Sequence, residues 1–223
     1  VTTEQTDDTV IFDVDGTLVD TNYHHAIAWF QAFQRHDVTV PVWRLHRAIG
    51  MGGDRLVAHV AGDDVERELG DTLRDEWKRV FEPMIPQIRG LAGARDLVAA
   101  AGGHGWTVAL ASSGDPAHVK HYLDLLDLHD LADDWTSAED VSDTKPAPDL
   151  LDTALKRVGG DRACLVGDST WDCAAAERAG LPCVALLTGG FGEAELRDAG
   201  AAAVFADLPS LRDALGELPF SAS

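Results

Sequence analysis

The sequence predicts an α/β protein, a three-layer Rossmann-like core around a parallel sheet, interrupted by an inserted α-helical cap. Three observations predict it: short apolar runs that end in polar residues recur along the chain, helical patterns separate them, and one long stretch near the N-terminus holds helical patterns only. The 223 residues fit one sizeable domain, or a medium one with a smaller companion. Hydrophobic residues at 45% and charged residues at 25% are ordinary globular usage, which excludes wholesale disorder, collagen and coiled coil.

The apolar runs are Thr9 to Phe12, Trp106 to Ala111, Ala163 to Val166, Cys183 to Leu187 and Ala203 to Phe205. They are short and do not alternate with polar residues, as strands buried on both faces should read. Helical patterns fall between them at Ala94 to Ala101, Pro116 to Leu126, Pro148 to Val158, Trp171 to Ala179, Glu193 to Ala199 and Leu208 to Leu215. Such alternation places ligands at the carboxyl ends of the strands. The insert reads as helices from Tyr23 to Phe33, with Ile27, Phe30 and Phe33 at helical spacing, and from Val65 to Phe81, with Leu69, Leu73, Trp77 and Val80. Pro83, Pro86 and Gly90 punctuate its exit. The expected division is a core of residues 1–19 and 91–223 with a helical cap of 20–90, in which Trp29, Trp43 and Trp77 form the cap's own core.

Acidic side chains outnumber basic ones by 38 to 18, a net charge of −20 that repels polyanions and argues against nucleic-acid binding. Cys164, Cys173 and Cys183 match neither a zinc site nor a disulfide framework, so buried thiols in a reducing cytoplasm are expected. Val1 to Thr9 lacks the basic start and apolar stretch of a secretory signal, and no apolar run approaches the roughly 18 residues of a membrane span. A soluble cytoplasmic monomer or homodimer is the expectation, without membrane association.

Four strand ends carry chemistry. The first is Asp13-Val14-Asp15-Gly16-Thr17, where two carboxylates follow a buried strand; they are costly there without a cation, and the turn at Gly16 can aim both into one pocket. The second is Ser112-Ser113-Gly114 before a helix, which offers hydroxyls and backbone N–H groups to an anion. The third is Lys145, one of four lysines, set between Thr144 and Pro146. The fourth is Gly167-Asp168-Ser169-Thr170-Trp171-Asp172, with carboxylates at i and i+4 suited to a hard cation such as Mg²⁺. Each alone has a plain structural reading: an acidic turn, a loop serine, a surface lysine, a helix capped by Asp168. Their coincidence in one α/β chain does not.

The order DVDGT, strand-end serine, KPAPD and GDSTWD resembles the haloacid dehalogenase superfamily, and the helical insert is similar to its small α-helical cap. The resemblance spans roughly residues 9–205, and it implies roles position by position. Asp13 would attack phosphorus. Asp15 would protonate the leaving oxygen, then deprotonate water, and offer its backbone carbonyl to metal. Ser112 and Lys145 would hold phosphoryl oxygens, with Gly16, Thr17, Ser113 and Gly114 around the phosphate. Asp168 would join Asp13 on Mg²⁺, with Asp172 as a further ligand or in support. Asp15 disfavours halide displacement, because superfamily members that displace halide lack that acid.

In the cap the signals diverge. Thr21, His25, Ala28 and Trp29 resemble a segment of β-phosphoglucomutases, whose histidine lies near the acid/base aspartate. However, Gly53 stands where those mutases carry an arginine, and Gly167 where they carry glutamate, so the chain looks more like phosphatases of the phosphoglycolate type. His25 is alternatively a packing residue, and the loop from Gly50 to Gly53 is alternatively a turn between helices or a flexible element over substrate. The expected function is Mg²⁺-dependent hydrolysis of a small phosphorylated metabolite through an aspartyl-phosphate. The alternatives are a sugar-phosphate mutase and a non-catalytic phospho-acceptor module.

Overall fold

The computed structural model describes residues 8–160 and 162–220. The N-terminal stretch judged to lack a signal therefore lies almost wholly outside the described residues. Six strands, β1 (Asp8–Phe12), β2 (Thr107–Ala111), β3 (Asp134–Thr136), β4 (Arg162–Gly167), β5 (Cys183–Leu186) and β6 (Ala201–Phe205), form one parallel sheet in the order β3-β2-β1-β4-β5-β6. Every pairing is parallel. This is the doubly wound Rossmann-like order, in which the strand order reverses beside β1 and leaves a crevice at the carboxyl ends of β1 and β4.

The helices are α1 (Asn22–Arg35), α2 (Val42–His46), α3 (Gly53–Ala61), α4 (Asp63–Phe81), α5 (Ala94–Gly103), α6 (Pro116–Leu126), α7 (Asp149–Val158), α8 (Thr170–Ala179), α9 (Glu193–Asp198) and α10 (Leu208–Asp213). Two compact units result: Val1–Asp20 with Arg89–Ser223, which holds the sheet, and Thr21–Ile88, which is helical throughout.

In the sheet unit, β1 pairs with both β2 and β4, so Phe12 stands level with Leu110 and Val166. Successive side chains point to opposite faces. One face buries Ile11, Ala109 and Leu165 against Leu150 and Leu151 of α7, Ala175 and Ala176 of α8, and Leu196 of α9. Full burial of a leucine such as Leu165 contributes roughly 2 kcal/mol, so this packing fixes where the strand ends fall. All three cysteines are buried free thiols. The chain leaves and re-enters this unit side by side: the Asp20 N–H donates to the Arg89 carbonyl at 3.0 Å, and Val19 bridges Gly90 in antiparallel fashion.

The helical unit is built on α1 and α4. Trp77 stacks on Trp29 (ring centroids 5.5 Å) and on Phe81 (5.2 Å), and Phe33 is fully buried. Trp29 and Trp77 thus pack as expected, but Trp43 is 68% exposed and corrects the expectation that it belongs to this core. It sits in the first turn of a five-residue helix whose buried side chains are Leu45 and His46. No helix among the described residues is long and apolar enough to cross a membrane.

Candidate active site

Three of the motifs directly follow strands β1, β2 and β4 of the sheet unit, and Lys145 lies in the connection from β3 to α7. The Asp13 N–H extends the β1 ladder by donating to the Val166 carbonyl at 2.8 Å, which sets Asp13 just beyond the sheet edge. Gly16 then turns the chain with φ of 81°, a value that favours glycine. Its N–H donates to the Val19 carbonyl at 2.8 Å. The Ser112 N–H donates to Thr136 on β3 at 3.1 Å, and Asp115 caps α6 by accepting from Ala117 N–H at 2.9 Å.

Lys145 draws three strand ends together. Its ammonium, 1% exposed, donates to Asp13 Oδ1 and to the Ala111 carbonyl at 3.2 Å, and lies 2.8 Å from Asp172 Oδ1. Burial would lower the Lys145 pKa, but Asp13 and Asp172 outweigh it and hold the group charged, above the ordinary lysine range. Burial raises the Asp13 carboxyl and Lys145 pulls it down, while Asp172 and Asp15 also push it up; the net result is a carboxyl raised to about 7. The lysine is therefore no solvated surface charge.

Asp172 is divided between two tasks. Ser169, not Asp168, caps α8, and Asp172 completes the capping box: its Oδ2 accepts from Ser169 Oγ at 2.6 Å and from Ser169 N–H at 3.1 Å, leaving Oδ1 to face Lys145. The helix cap is therefore Ser169, which differs from the plain structural reading given to Asp168 above. The Thr17 hydroxyl lies among the carboxylates, 2.9 Å from Asp13 Oδ2 and 3.0 Å from Asp168 Oδ1. A side chain four residues after Asp13 on a tight turn returns beside it, and the sequence alone does not say what it meets there.

Asp15 has a different environment. Its Oδ2 accepts from Ser112 Oγ at 3.0 Å, and Ser112 Oγ itself accepts from the Gly114 N–H at 2.9 Å. Ser113 Oγ is buried without a hydrogen-bond partner. The two carboxylates of the DVD motif thus differ in environment: Asp13 faces the lysine and the acidic cluster, and Asp15 accepts from the serine turn.

Asp13, Asp168 and Asp172 each present an oxygen within 4.8 Å of the others. Three buried carboxylates outnumber the one ammonium that pairs with two of them, Asp13 and Asp172, in a site where desolvation is costly. A hard divalent cation among oxygen donors fits that deficit. Asp13, Asp168 and Asp172 are the side chains that could hold it.

In the helical unit, His25 stacks on Phe81 (4.1 Å) and Trp77 (5.6 Å), the arrangement of a packing histidine. Gly53 opens α3 against Trp29, whose ring would lie 3.3 Å from an added Cβ, and its carbonyl accepts from Arg74 at 3.0 Å.

Three participants escaped the sequence reading. Tyr122 on α6 is 1% exposed with a hydroxyl that has no hydrogen-bond partner; burial raises its pKa, and the Asp15 charge adds to the effect. Thr188 donates to the Gly16 carbonyl at 2.7 Å. Gly189 lies so close to Asp168 that an added Cβ would fall 1.9 Å from Oδ2. A tyrosine at a helical apolar position and a TGG turn carry no signal that distinguishes them from packing and loop.

The family model of the haloacid dehalogenase-like hydrolases matches residues 8–180. The chain belongs to this family. It is 32% identical over 186 residues to the probable phosphatase IndB of Dickeya dadantii, covering 81% of each chain. It is 28% identical over 218 residues to a phosphoglycolate phosphatase of Rhodospirillum rubrum, covering 93% of this chain and 90% of the relative. A hydrolase from Pseudomonas syringae superposes with a TM-score of 0.89 at 32% identity, covering 95% of this chain and 99% of that one. This haloacid dehalogenase-like hydrolase thus shares fold and length with its relatives.

Proposed function

We propose that this hydrolase cleaves a small phosphomonoester with Mg²⁺ bound among Asp13, Asp168 and Asp172, through an aspartyl-phosphate on Asp13. Its enzyme class is phosphomonoester hydrolase. The observation that carries the reading is the split of the DVD motif: two carboxylates two residues apart have environments suited to two roles.

Asp13, paired with Lys145, attacks phosphorus, and the bond from phosphorus to the leaving oxygen breaks as the new one forms. Asp15 gives its proton to that oxygen, then takes one from the water that attacks the aspartyl-phosphate, releasing phosphate and restoring the Asp13 carboxylate and the protonated Asp15. Ser112 orients Asp15, and the unpartnered Ser113 hydroxyl and the Gly114 turn supply donors for phosphoryl oxygens. Mg²⁺, when bound, neutralises charge on the transferring group. Lys145 keeps a fixed positive charge at the same place. Gly167 supports a phosphatase over a mutase: a Cβ there would lie 2.5 Å from Asp172 Cβ, so the glutamate of the mutase pattern does not fit beside Asp172. In this reading the helical unit, Thr21–Ile88, stands as the family's cap.

Phosphate release from a panel of phosphomonoesters, phosphoglycolate and β-glucose 1-phosphate among them, tests the reading. Release that requires Mg²⁺, stops with chelator and disappears in Asp13→Asn is expected. Isomerisation of β-glucose 1-phosphate without net release would replace hydrolysis by the mutase reaction.

A further inference from the structure

The turn after β5, Leu187–Gly190, belongs to none of the four motifs, yet two of its residues reach the reacting end of the sheet. The Thr188 hydroxyl donates to the carbonyl of Gly16 at 2.7 Å. That carbonyl belongs to the peptide joining Gly16 to Thr17, so the bond fixes the plane from which the Thr17 side chain departs. Thr17 in turn lies within 3.0 Å of both Asp13 and Asp168. Gly189 approaches Asp168 itself: a Cβ there would fall 1.9 Å from Asp168 Oδ2 and 2.6 Å from the Asp168 backbone oxygen. The side-chain oxygen can swing away from such an atom, but the backbone oxygen cannot, so any side chain at 189 must displace the turn or the aspartate.

We propose that Thr188 and Gly189 form a positioning strap that sets the distance between Asp13 and Asp168, and with it the divalent-ion site. Thr188 acts through the Gly16–Thr17 peptide, and Gly189 acts by leaving Asp168 the space beside it. Neither residue touches the reacting phosphoryl group. The inference rests on the phosphatase reading above, since it is Mg²⁺ and phosphoryl transfer that demand a fixed spacing.

Four proteins test it: wild type, Thr188→Val, Thr188→Ser and Gly189→Ala, each purified whole and checked by thermal melting. Steady-state phosphate release should show Thr188→Val with kcat down about tenfold or more and KM within about threefold, the pattern of a lost transition-state contact. Thr188→Ser, which keeps the hydroxyl, should recover kcat to within about threefold of wild type. Calorimetric titration with Mg²⁺ alone, without substrate, should give Gly189→Ala an affinity weakened by about tenfold or more. A valine variant with wild-type kcat, a serine variant no better than valine, or unchanged Mg²⁺ affinity in Gly189→Ala would overturn the strap. Should Gly189→Ala fail to fold, the valine and serine pair decides. A wild type that binds Mg²⁺ but releases no phosphate removes the phosphatase reading and leaves the titration to judge the strap. A wild type that does neither removes both.

Discussion

The sheet unit and the helical unit handle charge in opposite ways. In the sheet unit a lysine that is 1% exposed sits among buried carboxylates, a concentration of charge that packing alone does not explain. In the helical unit the ion pairs lie at the surface: Glu76 joins Arg35 and Arg79, and Arg74 joins Glu66 at 2.8 Å. The interior of that unit is aromatic, with Trp29, Trp77, Phe81 and His25 stacked together. The difference teaches where each unit bears a desolvation cost. Charged groups in the first are held together in the interior against that cost, whereas the ion pairs of the second stay in contact with solvent.

Breaking the contrast should give effects that descend in size from one unit to the other. Asp13→Asn should lower kcat by at least about 10⁴-fold, read by phosphate release at saturating substrate, because no other group takes over the nucleophile's bond. Lys145→Met removes the single ammonium and leaves Asp13 and Asp172 facing each other. It should destabilise the metal-free protein by about 3–5 kcal/mol in urea unfolding, and added Mg²⁺ should restore part of the loss.

Trp77→Ala strips the centre of the aromatic stack and should cost about 2–3 kcal/mol, below a fully buried tryptophan because the ring is half-buried. A calorimetric transition that separates the helical unit from the sheet unit would sharpen the comparison. Glu76→Gln should have the smallest effect. Hydrogen bonds from Arg79 and Arg35 lower the Glu76 carboxyl from 4.5 to about 2, so its contribution is present above pH 4.5 and is lost as pH falls toward 2. The variant should melt slightly below wild type at pH 7, and the gap should close on acidification below pH 4.5. A gap that widens in acid would reverse the assignment.

The strands and helices that bury apolar runs were legible in the sequence, because length and periodicity report burial directly. β3 was not: Asp134-Trp135-Thr136 is three residues long, lies at the sheet edge and has no apolar run. The short α2 and α3 offered too little periodicity, and Trp43 looked like core because a tryptophan in a helical stretch carries no sign of which face it takes. At the site, the four motifs could be read because charged residues at strand ends are costly and therefore conspicuous. Thr188 and Gly189 could not, since the need for glycine at 189 arises only from where the Asp168 carboxylate stands. Likewise the partition of Asp172 between Ser169 and Lys145 depends on which way one carboxylate rotates.

The hydrogen bond between Asp20 and Arg89 has one more consequence. A chain whose exit and return are already stitched together has, in effect, a socket: what is plugged in between need only begin and end at neighbouring points. Exchange of Thr21–Ile88 for a short turn, or for an unrelated helical module with adjacent termini, leaves every strand and all four motif segments on one continuous scaffold. Lineages that keep the same sheet unit while trading the segment inserted into it need no rearrangement of the sheet to do so.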